Sequence, residues 1–280
     1  MKALIQMIWA DKKDVLLAMT AGTISGLTAV ALFAQSGFLI SKAALMPPFY
    51  IILILTAFLK LFGVAKSTSK YAERYISHRV TFRFMSAVRM RFFKKLVPRV
   101  NLLHRYKSGD LLNRITSDVD LLQNFFLRVV YPPFIALFIF LATILFTIWF
   151  SPWLAMILMI GFILTSTVVP AIFIYVKSQT AVQVKNAFTN EATEYLYGYR
   201  DLQLHDQLVA KEQALQTISL DYSRLKKREM NREQSAQFWN QFVSLVTAFF
   251  VLTVGAYFVS VGALDGLYLA MLVLIALTVF

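Results

Sequence analysis

The sequence predicts an all-α membrane protein: six spanning helices, two long helical hairpins outside the bilayer, and a short transverse helix at each hairpin tip. Three observations predict it. The 280-residue chain is 58% hydrophobic with 15% aromatics and a mean hydropathy of +0.63, more apolar than a soluble core requires. Several of its apolar runs exceed the ~18 to 20 residues that cross hydrocarbon. Two long polar stretches contain almost no Pro or Gly, the exceptions being Pro98, Gly109 and Gly198, so they read as helix rather than loop.

Taken in order, residues 3 to 10 form an apolar cluster ahead of Lys12 and Lys13, and residues 1 to 14 are expected to be an interfacial segment. Spans follow at about 15 to 40, 49 to 66, 121 to 149, 153 to 176, 238 to 260 and 267 to 280, the last cut short by the chain end. The turns within three span pairs are short: MPP at 46 to 48, SPW at 151 to 153, and VGALDG at 261 to 266. Their Pro and Gly residues break helices where a hairpin must turn. Trp9 and Trp153 fit interface anchors.

The net charge of +13 raises the question of nucleic acid, and the distribution of the cations answers it. Residues 1 to 14, 60 to 118 and 177 to 232 hold all the Lys and Arg except Lys42 and Arg128. Under the positive-inside rule the N-terminus and both polar stretches are cytoplasmic and the short turns lie outside. The basicity is topology, and no nucleic-acid partner is expected. With no cysteine in the chain, a disulfide framework, thiolate metal site or redox dithiol is excluded from these residues.

Helical spacing carries the spans on into the polar stretches. Residues 153 to 193 as one helix would measure roughly 60 Å, against roughly 30 Å of hydrocarbon. At the far end of each excursion lies a break: KSGDLLNRITSDVD at 107 to 120 and NEATEYLYGYRDLQLHD at 190 to 206. Ser108 or Asp110 can cap a two-turn helix over 110 to 115, and Ser117 with Asp120 resembles a capping box for the next helix. Gly198 supplies the second bend. Leu111, Leu112 and Ile115 in the first tip, and Tyr199, Leu202 and Leu204 in the second, are apolar side chains on charged knobs, which suits a docking surface.

Together the six spans, the two hairpins and SGDLLNRITSDVD resemble the transmembrane domain of the ATP-binding cassette exporters (type IV, formerly type I). The segments SGFLISKAAL (36 to 45), KYAERYISHRVTFRFMSAVR (70 to 89), SGDLLNRITSDVDLLQNFFLRVVYPP (108 to 133) and EYLYGYRDLQLHD (194 to 206) are similar to the CydC-type subunits of heterodimeric thiol exporters. The resemblance implies export of cysteine and glutathione in support of cytochrome bd assembly, with a second, CydD-like half-transporter as partner. It also implies that the transverse helices are coupling helices, with Asp110, Leu111, Leu112, Asn113, Arg114, Ile115, Tyr199, Arg200, Asp201 and Leu202 pressing on nucleotide-binding domains that hold ATP and Mg. No GxxxxGK[ST] phosphate loop occurs in the sequence. The nucleotide-binding domain is therefore expected outside these residues, and no ATP hydrolysis from them alone.

Three groups of residues invite functional readings. Lys60 lies about twelve residues into the second span, where a charge costs roughly 2.5 to 3.5 kcal/mol unless it faces water or a partner. With Gln35 and Ser36 it could line a cavity that attracts the carboxylates of a thiol substrate; alternatively Lys60 is interfacial and the polar pair packs helices. Tyr71, Arg74, Tyr75, His78 and Phe82 fall on one helix face. An imidazole can ligate haem iron and an arginine one turn away suits a propionate. The resemblance implies haem b at His78 with Arg74 beside it; the alternative is a histidine pairing with Glu73 or with a partner helix. Arg128 reads as an interfacial anchor and Pro132-Pro133 as a kink.

Two other classes compete. A lipid or multidrug exporter half would have a more apolar cavity and no use for Lys60. A membrane haem protein for electron transfer would want facing histidine pairs within the bilayer, and none of the six predicted spans contains a histidine.

Overall fold

A computed structural model describes residues 12 to 98, 131 to 174 and 179 to 279. Its helices are α1 (Lys12–Ala43), α2 (Phe49–Leu96), α3 (Tyr131–Phe150), α4 (Pro152–Ile163), α5 (Val169–Ile174), α6 (Gln179–Tyr197), α7 (Tyr199–Leu204), α8 (Leu208–Ser260) and α9 (Leu269–Val279). Among the described residues five helical stretches are long and apolar enough to cross a membrane: Lys12–Ala43, Phe49–Leu96, Tyr131–Phe150, Pro152–Phe173 and Leu208–Ser260. A shorter apolar helix follows at Gly266–Val279. The spans expected at 15 to 40, 49 to 66 and 238 to 260 thus sit inside longer helices. α2 runs 30 residues past the expected end at 66, and α8 begins 30 residues before the expected start at 238.

The turns form for the reasons their residues suggest. After α1 the backbone enters the left-handed region at Met46 (φ 47°), and Pro47 and Pro48 lead into α2. Ser151 accepts the Ala155 N–H through its carbonyl, and Pro152 opens α4 where its missing N–H costs nothing. Past the end of α8 the backbone is left-handed at Gly262 (φ 74°), and Asp265 caps the next turn by accepting the Leu267 N–H at 3.0 Å.

The chain divides into two compact units, residues 1 to 158 with 248 to 279, and residues 159 to 247. In the first, α1 is the central helix and packs on α2, α3 and α9. Its buried residues are Ala18, Gly22, Ser25, Ala34 and Gly37, all small. Without a hydrophobic drive inside lipid, association depends on close packing, and small residues permit it. At Gly37 the approach is backbone to backbone: a Cβ there would stand 2.6 Å from the Ala270 carbonyl oxygen and 2.7 Å from the Met271 Cα. Leu154, Leu158, Val251, Leu272 and Ile275 complete this core. The buried hydroxyls of Thr143 and Thr147 are satisfied within their own helix, donating to the Ile139 and Thr143 carbonyls respectively, both at 2.8 Å.

In the second unit the helix begun by α4 widens to a π turn over Leu164–Val168, where the Val169 N–H donates to the Leu164 carbonyl five residues back. The sequence explains the location. Pro170 has no N–H to give the Ser166 carbonyl, and Thr165 and Thr167 turn their hydroxyls back onto the Gly161 and Ile163 carbonyls. α6 and α8 pair as a hairpin through Phe188 and Tyr222, whose rings stack at 5.6 Å and 7°.

Candidate functional site

The tip of the second hairpin is built from the end of α6, the six-residue α7 and the start of α8. α6 stops at Gly198, whose N–H donates to the Glu194 carbonyl at 2.8 Å. Its φ of −91° is open to any residue, so the expected conformational freedom is not what the bend uses. Close approach is: a Cβ at Gly198 would lie 2.9 Å from the Glu194 carbonyl oxygen. The turn out of α7 is left-handed at Asp206 (φ 53°), and the Gln207 N–H closes it on the Leu202 carbonyl at 3.0 Å. Lys211 then ties α8 to α6 through Glu191 at 2.5 Å, with Glu194 at 3.9 Å. The hydrogen bond that Lys211 donates to Glu191 holds the ammonium above its ordinary value, more than offsetting desolvation.

This tip presents apolar groups outward. Leu196, Tyr197, Tyr199, Leu204 and Val209 are exposed, Tyr197 at 90%. Arg200 and Asp201 are exposed beside them. Leu202 differs from the expectation: it is half-buried and lines a groove of about 300 Å³ with Gly198, His205 and Gln207. Exposed apolar side chains thus stand here on a charged frame. The first tip, with Asp110, Leu111, Leu112, Asn113, Arg114 and Ile115, lies outside the described residues, as do Arg128 and Trp9. Pro132 and Pro133 are the second and third residues of α3, and both are exposed.

The predicted cavity residues do not converge. A cavity of about 390 Å³ opens between α1, α2, α3 and α9, walled by Leu27, Phe38, Phe62, Phe146, Met271 and Ile275 among others. Gln35 and Thr143 are its polar groups, and Gln35 donates across to the Leu55 carbonyl at 3.4 Å. Ser36 turns into its own helix, donating to the Leu32 carbonyl at 2.8 Å. Lys60 is exposed on α2 and outside the lining.

The aromatic and cationic stripe forms as spaced. Tyr71 stacks on Tyr75 at 6.4 Å and His78 on Phe82 at 5.9 Å, with Arg74 and His78 both exposed. Imidazole, guanidinium and phenols therefore share one exposed face of α2, the side-chain set that one wall of a haem site would need. Glu73 does not pair with His78. It is 6% exposed on the other side of α2, where it accepts the Tyr131 hydroxyl at 3.0 Å and meets Lys70 at 2.9 Å. Sequence reasoning missed this junction, although Glu73 is the lone acid of a helix rich in cations.

Comparison with known proteins agrees with this architecture. Residues 15–280 match the family model described as "ABC transporter transmembrane region". The chain is 28% identical over 185 residues to the glutathione/L-cysteine transport system ATP-binding/permease protein CydD of Bacillus subtilis, covering 64% of this chain and 32% of that protein. It is 41% identical over 71 residues to the corresponding CydC of Escherichia coli, covering 25% and 12%, and 38% identical over 81 residues to CydC of Haemophilus influenzae, covering 29% and 14%. The chain thus spans about a third or less of the length of these relatives. Long apolar helices that continue as a hairpin, a short helix with exposed apolar side chains at its tip and a family match over nearly every residue identify the chain as a member of the ABC transporter transmembrane region family.

Proposed function

We propose that this chain is the membrane-spanning part of one subunit of an ATP-driven exporter of thiol reductants, of the cysteine and glutathione class, serving cytochrome bd assembly. The observation that carries the transport reading is the second tip: exposed Leu196, Tyr197, Tyr199 and Leu204 on a hairpin clamped by Lys211 and Glu191. Such a knob is shaped to be pushed by a nucleotide-binding domain, and helices this long carry the push to the membrane. The thiol cargo is supported by the names of the relatives, and the CydC-type assignment by the segments quoted above. In this reading the N-terminus and both tips are cytoplasmic, and a CydD-like second half-transporter completes the pathway.

Haem b is a proposed ligand of the stripe. His78 would hold the iron, Arg74 a propionate and Tyr71 with Tyr75 the ring edge, the second wall coming from the partner subunit. When bound, the haem would supply redox and ligand-binding chemistry at that face.

A second reading has its own observation. The cavity between α1, α2, α3 and α9 is apolar and excludes Lys60, which favours a lipid-like or multidrug cargo. One experiment separates the two. The full-length protein with its partner, reconstituted in vesicles, should take up cysteine and glutathione on addition of ATP. Uptake of apolar dyes alone would replace the thiol reading with the second. A haem absorption spectrum unchanged by His78→Ala would remove the haem assignment.

A further inference from the structure

Glu73 is the single acidic residue of α2, a helix with ten Lys and Arg. Surface pairing with those cations is what such a composition suggests, yet Glu73 faces inward with Ser77, Val80 and Thr81. It sits at a junction of three helices. The Tyr131 hydroxyl of α3 lies 3.0 Å from Glu73 Oε1 and 3.0 Å from the Ala18 carbonyl of α1. A phenol has one proton to donate, and the carboxylate is the stronger acceptor. Lys70, 56% exposed, meets the other carboxylate oxygen at 2.9 Å.

The surroundings leave little room for the junction to slip. At Gly22 of α1 a Cβ would stand 2.5 Å from Ile135 of α3 and 3.2 Å from Glu73 Cγ. One turn away on α1, Ser25 donates to the Lys66 carbonyl of α2 at 3.3 Å. Two polar ties thus hold the Lys12 half of α1 to its neighbours near this point, and an ion pair between Arg83 and Asp14 at 3.1 Å holds its end. α1 needs such ties, because the chain connects it directly to α2 only at the opposite end, through residues 44 to 48.

We propose that Glu73 and Tyr131 are positioning residues for transport, forming a clasp that makes α1 follow α2 and α3 as one body when those two helices move. This rests on the exporter reading above. Neither residue lines the cavity between α1, α2, α3 and α9, and the effect of the clasp is on how completely a movement of α2 and α3 reaches α1.

The test uses the full-length transporter with its partner in lipid nanodiscs, with spin labels at Leu17→Cys on α1 and Phe134→Cys on α3. Both sites are exposed, and this chain has no cysteine of its own to compete. In the otherwise unaltered protein the label-to-label distance should be the same in the nucleotide-free and ATP-trapped states. In Tyr131→Phe it should shift or broaden on trapping, and glutathione taken up per ATP hydrolysed should fall about fivefold while the ATPase rate stays within about twofold. Glu73→Gln keeps an amide oxygen for the phenol and should retain most of the coupling, whereas Glu73→Leu should behave as Tyr131→Phe and replaces it if that variant does not fold. A Tyr131→Phe distance indifferent to trapping, or uptake per ATP equal to wild type, would overturn the clasp. A wild-type protein that takes up no glutathione would instead reject the cargo, and the label distances would still decide the clasp.

Discussion

Lys211, four residues into α8, reaches back to Glu191 on α6 at 2.5 Å and closes the second hairpin beside α7. Removing the ammonium should loosen that tip without unfolding the long helices around it. Lys211→Met is expected to speed hydrogen exchange several-fold at residues 196 to 207 and to leave the stacked Phe188–Tyr222 region protected. Equal exchange in both proteins would mean that the pair is dispensable.

The same pair sets a pH expectation. The folded ammonium titrates above its ordinary value of 10.5, so its contribution is complete below that value and is lost only as pH rises through the higher folded one. Tip protection, corrected for intrinsic exchange rate, should be flat from about pH 6 to about pH 9 as far as this pair is concerned. A fall within that window would assign the tip's stability to another group.

Gly198→Ala tests whether the bend depends on contact or on backbone freedom. The backbone angle tolerates alanine, but its Cβ would meet the Glu194 carbonyl oxygen at 2.9 Å. We expect a loss of about 1 kcal/mol and a displaced α7, read as reduced coupling between ATP hydrolysis and uptake. An unaltered melting temperature and coupling ratio would show that the carbonyl simply moves aside.

The contrast between Gly37 on α1 and Gly63 on α2 is sharper. Gly37→Ala forces a methyl against the Ala270 and Met271 backbone, which cannot rotate away, and should cost about 1 to 3 kcal/mol in detergent unfolding. Gly63→Ala meets only Leu32 Cδ1 at 3.7 Å and should gain up to about 1 kcal/mol from helix propensity. Similar melting shifts for the two would contradict the crossing described between α1 and α9.

Which parts of this were legible beforehand follows from the range of each signal. Helix existence, the short turns at Pro47-Pro48, Pro152 and Gly262, and the break around Gly198 depend on local chemistry, and the residues state it. Lys60, Gln35 and Ser36 needed the rotation of two helices about their axes. Spacing fixes that only where the apolar stripe is one-sided, and in these spans it is not. Glu73 was hidden for a related reason: an acid among cations reads as a surface pair, and its partner Tyr131 lies 58 residues away. The π turn was illegible because Thr165, Thr167 and Pro170 are each tolerated in ordinary helices within membranes.

Pro170→Ala probes that turn. An N–H at 170 would offer the Ser166 carbonyl its ordinary partner and favour regular α-helix over residues 164 to 170. Unfolding stability should rise by about 1 to 3 kcal/mol, with uptake slowed if the widened turn is where the helix flexes. Stability unchanged or lowered would show that the π turn is imposed by packing and not by the missing N–H.

α2 has one further consequence, which is geometric. Its 48 residues make a rod of about 72 Å, of which hydrocarbon covers only about 30 Å. Pivoted at Phe49, a tilt of about five degrees carries the Leu96 end through roughly 6 Å, a little more than the 5.4 Å pitch of a helix. The gearing also works in reverse. A displacement of that size at the far end arrives in the bilayer reduced by more than half, so small gaps between helices can be opened and closed without large strokes near the cargo.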